Sequence, residues 1–116
     1  MNKDNLIKLA NYLLSSVPQE EFDMYDFRSP CGTMGCAIGH GPESGIPKFP
    51  GETWAEYCVR AFGVTRGHSW DWCFDGEWRY HDNTPQGAAV RILYLVEHGA
   101  PPADWDRFGA GEGSCL

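Results

Sequence analysis

Glycine and proline divide this chain into short windows, and three of them carry a helical period long enough to read clearly. Pro18, the run Gly39-His40-Gly41-Pro42, Pro47, Pro50-Gly51, Gly63, Gly99 and Pro101-Pro102 punctuate it. Proline fixes φ and lacks an amide donor, and glycine leaves the helical region readily, so neither lets a helix run on. Before Pro18, the residues Leu6, Ile7, Ala10, Leu13, Leu14 and Val17 recur at three- and four-residue spacing, which predicts an amphipathic helix from Lys3 to Ser16. Thr53 stands three residues before Glu56, a capping-box spacing, and Trp54, Tyr57, Cys58, Ala61 and Phe62 share one helical face up to Gly63. On the other face, Glu56 and Arg60 have the spacing of an i, i+4 ion pair. In the third window Thr84 is placed to cap, Pro85 to occupy the first turn, and Ala88, Ala89, Ile92, Leu95 and Val96 to form an apolar face that Gly99 closes.

A chain of 116 residues buries about two-thirds of its unfolded surface, enough for one core. The expected fold is therefore mainly α: a compact, small single-domain helical bundle over residues 1–108, with a long Gly/Pro loop, a Trp-rich segment and a flexible tail at 109–116. Asp104, Trp105 and Phe108 are expected to make one last turn before that tail. The connector at 19–30 mixes Phe22, Met24, Tyr25 and Phe27 with acidic residues and reads as a loop anchored by its aromatics. Thr33 is placed to cap a short helix through Met34, Cys36, Ala37 and Ile38, and the loop at 41–51 is the expected mobile lid.

The stretch 68–81 has two readings. Trp70, Trp72 and Phe74 alternate with Asp71 and Cys73, Asp75-Gly76 suits a tight turn, and Trp78 and Tyr80 alternate again, which is a hairpin pattern. A short helix followed by a turn is the alternative.

The segments CGTMGCAIGHG (31–41) and WDWCFDGEWRYHDNTPQGAAVRILYLVEHGAP (70–101) resemble a set of small, uncharacterised bacteriophage and prophage proteins. Those proteins pair a CGTxxCxxGH element with a WxF…W…DNTPxGAAxRIxYL element, and the likeness spans about 22–105. It implies a phage-like setting and a tryptophan segment that is helical as far as Phe74, which favours the short helix over the hairpin. This chain departs from the pattern in its extended Gly/Pro loop at 41–51.

Nine basic against sixteen acidic side chains, a net charge of -7, argue against direct nucleic-acid binding, which calls for a basic patch. No apolar run approaches the roughly 20 residues that span a bilayer, and the first twenty residues lack a signal-peptide pattern. The expectation is a cytoplasmic protein, in the host cytoplasm if phage-encoded, with no membrane partner. Five cysteines, an odd number, then read as reduced thiols rather than a disulfide framework.

Three constellations carry potential chemistry. Cys31, Cys36 and His40 offer soft or borderline ligands, but zinc sites prefer two close pairs and the second pair is missing, so Cys36 reads more simply as a small core residue. Cys31 ahead of a helix start, with His40 or His81 as base, is the pattern of an activated thiolate. The third constellation is Trp70, Trp72, Trp78, Tyr80, Arg79, His81, Asp82 and Asn83, where indoles beside an arginine and a histidine can stack a ring or seat a partner's side chain. Against it, tryptophans in a small domain often simply fill the core, and Asp82-Asn83-Thr84 is accounted for by capping.

The candidate ligand- or partner-binding residues are thus His40, Trp70, Trp72, Trp78, Arg79 and His81, with no catalytic residue, metal ligand or cofactor assigned. The expected function is a non-enzymatic accessory protein that binds a host protein or sequesters a small ligand, with inhibition of a host defence system as one such role. The acidic stretch 19–26 is a second candidate surface, a protein-facing patch. The alternatives are a small cysteine- or zinc-dependent enzyme using Cys31, Cys36 and His40, and a homo-oligomeric structural protein.

Overall fold

The computed structural model describes residues 1–24, 36–65 and 67–105. They form four α-helices, α1 (Lys3–Ser16), α2 (Trp54–Phe62), α3 (His68–Phe74) and α4 (Pro85–His98), joined through short 3-10 turns at Gln19–Glu21, Ile38–His40, Pro42–Ser44 and Gly76–Tyr80. No β-strand occurs among the described residues, and none of their helices is long and apolar enough to cross a membrane. The protein is a mainly α single domain. The short helix expected to begin at Thr33 and the last turn at Phe108 lie at least partly outside the described residues, as does the tail at 109–116.

The helix ends are where local chemistry puts them. Asn2 accepts from the Asn5 amide at 3.1 Å, Thr53 and Glu56 make the full reciprocal capping box, and Thr84 accepts from the Gly87 amide at 3.0 Å. Gly63 ends α2 in the left-handed conformation at φ 69°, and a Cβ there would also collide with the backbone of Met1. The α1 start is tied to the α2 end in the same place, by Asn2 N–H to Phe62 O at 2.8 Å and Asn5 Nδ2 to Ala61 O at 2.7 Å.

α1 packs chiefly on α4, which also supports α3. The core joins Leu6, Leu9, Ala10 and Leu13 of α1 to Ala88, Ala89, Ile92 and Leu95 of α4, with Tyr57, Cys58, Ala61 and Phe62 from α2 and Trp70, Cys73 and Phe74 from α3. The α1 stripe is turned from the sequence expectation. Ile7 and Leu14 are exposed and Leu9 is fully buried, because α4 covers the 6–9–10–13 face and nothing described covers the 7–14 edge.

The Trp-rich segment is a helix and then a 3-10 turn, so the hairpin is overturned. In a helix Trp70, Cys73 and Phe74 fall at i, i+3, i+4 and all three are buried, whereas a lone two-stranded hairpin is marginal in water. Asp75 caps the following turn through the Glu77 amide at 2.9 Å instead of opening a hairpin.

Two further expectations change. The loop 41–51 is pinned to α2 rather than poised as a lid: the Tyr57 hydroxyl donates to Ile46 O at 2.5 Å, Arg60 Nη2 donates to Pro47 O at 2.9 Å, and the Arg60 guanidinium lies 3.7 Å from the Phe49 ring centre. The Glu56–Arg60 pair does not form, since Glu56 is committed to the capping box, and Arg60 instead pairs with Glu52 at 2.6 and 2.9 Å. The loop anchored by aromatics holds where it is described, with Phe22 and Met24 buried.

Candidate functional site

Thr84, at the head of α4, follows two residues that shape the site. Thr84 caps the helix, and its two predecessors do something else. Asn83 Oδ1 accepts from the Met24 amide at 2.7 Å and its carbonyl accepts from Gln19 Nε2 at 2.8 Å, fastening the 19–24 segment to the head of α4. Asp82 accepts from the Thr84 hydroxyl at 2.6 Å and turns its other oxygen toward Arg91, 3.3 Å from Nη1. Gly87 makes this possible, because a Cβ at that position would fall inside the Asp82 carboxylate.

Arg91 is the unusual residue. It lies on the inner stripe of α4 between Ala88 and Leu95, and only 4% of it is exposed. A buried cation needs compensation. Here the Trp78 ring covers it, with the guanidinium carbon 3.9 Å from the ring centre, and Asp82 supplies the negative charge. Its Nη2 reaches the Asp82 carbonyl only at 3.5 Å, and its buried Nε–H has no acceptor. Burial pulls its pKa down to about 10, against the opposing pull of Asp82.

Around Arg91 lies an open cleft of about 530 Å³ lined by Trp72, Trp78, Asp82, Thr84, Gln86, Gly87, Val90 and Arg91. The two indoles meet edge to face at 5.6 Å, and Trp105 packs on both, parallel to Trp78 and at a steep angle to Trp72. Each lining indole has already spent its N–H: Trp72 donates to Arg91 O and Trp78 to Asp71 O, both at 2.9 Å. They present rings to the cleft, not donors.

Of the expected site residues, Trp72 and Trp78 line this cleft and His81 sits beside it, its ring edge-on to Trp78 at 6.3 Å. Arg79 is exposed and lies over the Tyr80 ring at 5.8 Å, outside the lining. Trp70 is not a surface residue: it is buried against Phe74 as core.

His40 also belongs elsewhere. It is buried, stacked on Phe22 at 6.2 Å, and its Nε2–H donates to Glu21 O at 2.8 Å while Nδ1 faces Glu43 Oε1 at 3.0 Å. With both ring nitrogens engaged inside the protein, it ties the 38–40 turn to the 19–21 turn. No group of three or more His, Cys, Asp or Glu side chains among the described residues is placed to hold a metal ion. Cys36, Cys58 and Cys73 are buried thiols outside any disulfide, and burial pushes the Cys73 thiol up to about 12, the reverse of an activated nucleophile. Cys31 and Cys115 lie outside the described residues.

Sequence reasoning missed Arg91 and Trp105. Arg91 had a signal, since Ala88, Arg91, Ile92 and Leu95 share one face and a charge in an apolar stripe must be compensated. Trp105 had none, because its contacts depend on how the chain returns after Pro101-Pro102. No family model, no curated protein and no solved structure matches the chain.

Proposed function

We propose that this chain is a non-enzymatic binding protein that works through the Trp72–Trp78–Arg91 cleft, in the setting of a phage or prophage and in the cytoplasm of its host. The observation that carries the reading is the buried Arg91, held against Trp78 with an unmatched Nε–H, in the wall of a cleft that also presents the Trp72 and Trp78 rings and Val90. An under-satisfied buried donor beside half-buried ring surface is a poor way to stabilise a fold and a good way to hold a ligand or a partner's side chain. The phage-like setting rests on the sequence resemblance, and with it the role of blocking a host defence component or withholding a small ligand from it.

Val90 lines the cleft and is 63% exposed, so Val90→Glu places a carboxylate in the mouth without disturbing the core. Val59→Glu, on the exposed side of α2, is the matched control. Tagged protein is incubated with host lysate, and bound proteins and small molecules are identified by mass spectrometry. A species retained by the parent and Val59→Glu but lost from Val90→Glu supports the proposal. Identical retention by all three, or none at all, removes it.

A further inference from the structure

We infer that the cleft takes a planar aromatic acid, its carboxylate completing the hydrogen bonding of Arg91 and its ring lying against Trp72 and Trp78. The inference rests on the binding reading above and adds the chemistry of what is bound.

The guanidinium carries five N–H donors in a flat fork suited to a carboxylate. Asp82 engages it loosely, at 3.3 Å to Nη1, where a tight charged pair lies nearer 2.7–2.9 Å. The second contact is a carbonyl at 3.5 Å, and Nε–H has nothing. This is a binding fork with one arm filled. Arg91 lines the cleft, so a second acceptor arriving there meets the guanidinium edge that Asp82 holds loosely, and a small shift of the Trp78 ring brings the buried Nε–H within its reach.

The rest of the wall says what the acceptor is attached to. Both lining indole N–H groups are committed inside the protein, so Trp72 and Trp78 contribute ring surface. Ring surface selects flat, apolar bodies through offset or edge-to-face contact. A volume of about 530 Å³ lies within the usual range of 300–1,000 Å³ for small-ligand sites.

A cationic ligand is the obvious rival, since tryptophan clusters hold ammonium groups over their faces. Here Arg91 already lies over the Trp78 ring, so an added ammonium would sit beside a desolvated cation with only Asp82 between them. Asp82 in the lining and the net charge of -7 both oppose an acid; the long-range field is screened within about 8–10 Å at physiological salt, and Asp82 is 41% exposed and pairs with Nη1 alone, so the guanidinium keeps donors for a second carboxylate.

The test uses the full chain, labelled with 15N, and three probes that share one ring: indole-3-acetate, neutral indole and cationic tryptamine. Expected are saturable shifts of the Arg91 Nε–H and the Trp72 and Trp78 indole signals with indole-3-acetate, with indole at least about tenfold weaker and tryptamine weaker still. Arg91→Lys keeps the charge and loses the fork, so indole-3-acetate should weaken about tenfold while indole is unchanged. Should that variant fail to fold, the ranking of the three probes on the parent protein decides alone. A tetrapeptide ending in tryptophan, with a free or an amidated C-terminus, distinguishes a chain terminus from a free acid as the source of the carboxylate.

Equal binding of the three probes, tighter binding of tryptamine, or no saturation overturns the inference. If the probes fail while Val90→Glu still abolishes capture from lysate, the ligand chemistry falls and the binding reading stands. If both experiments fail, both fall.

Discussion

The Arg91 guanidinium lies 3.9 Å from the centre of the Trp78 ring, and this stacking is how the protein keeps a cation on the inner face of α4. The ring masks one partner of a charge pair whose other partner, Asp82, is 41% exposed. Removing the cation and removing its counter-charge should therefore differ. Arg91→Met keeps the volume and deletes the charge, and its stability should change by less than about 1 kcal/mol. Asp82→Asn leaves the cation without its carboxylate and should cost about 1–2 kcal/mol, less than the 3–5 kcal/mol of a fully buried pair because Asp82 faces solvent. Urea unfolding of the two variants checks the order.

Gly87 is predicted to be worth more than its helix propensity suggests. Alanine is favoured over glycine inside a helix by about 1 kcal/mol, yet at this position its Cβ falls where the Asp82 carboxylate sits. Gly87→Ala should therefore destabilise the protein by about 1 kcal/mol, by driving Asp82 away from Arg91 and Thr84. In an Asp82→Ala background the same change should turn stabilising. A double-mutant cycle by thermal melting reads this reversal of sign, and additivity would contradict it.

The Arg60–Glu52 contact is predicted to contribute to acid stability. The hydrogen bond from Arg60 holds the Glu52 carboxyl down at about 2, from an ordinary 4.5. The unfolded chain therefore takes up this proton at higher pH than the folded one, so the contribution is complete above about pH 4.5 and is lost as pH falls toward 2. Glu52→Gln should flatten the stability curve between pH 4.5 and 2 and should also loosen residues 47–49 from α2. Unfolding free energy measured across that range, for parent and variant, shows whether the slope changes.

Thiol labelling should separate the cysteines by burial. Cys36, Cys58 and Cys73 are buried, and for Cys73 burial pushes the pKa up to about 12, so the reactive thiolate is scarce at pH 8. Treatment of the native protein with iodoacetamide, followed by peptide mass spectrometry, should leave these three unmodified. All three should label once urea unfolds the chain. Native labelling of Cys73 would contradict its placement in the core.

The register of α1 gives the most direct test of the packing. Leu9 is fully buried and Ile7 is 37% exposed. Leu9→Ala should cost about 2–5 kcal/mol through lost burial and a cavity, and Ile7→Ala less than about 1 kcal/mol. The opposite order would mean that the helix presents the Ile7–Leu14 edge to the core.

The sequence by itself determined the positions of α1, α2 and α4, because capping side chains, a proline in the first turn and glycine stops act within a few residues. Of the aromatics it singled out at 68–81, Trp70 went to the core while Trp72 and Trp78 pack against it and line the cleft. Tertiary structure decided which partner each side chain took. Leu9 and Ile7 are two residues apart and so point to nearly opposite sides of the same helix, and only the arrival of α4 chooses between them. Spacing makes Glu56 a partner for Arg60, but a capping box and a nearby Glu52 compete and win. Spacing likewise puts Arg91 in the apolar stripe, and nothing local says that Trp78 and Asp82 will meet it there. Local rules are short-ranged, and the compensation of a buried charge comes from wherever the chain returns. That is why the helices could be read from the residues and the cleft could not.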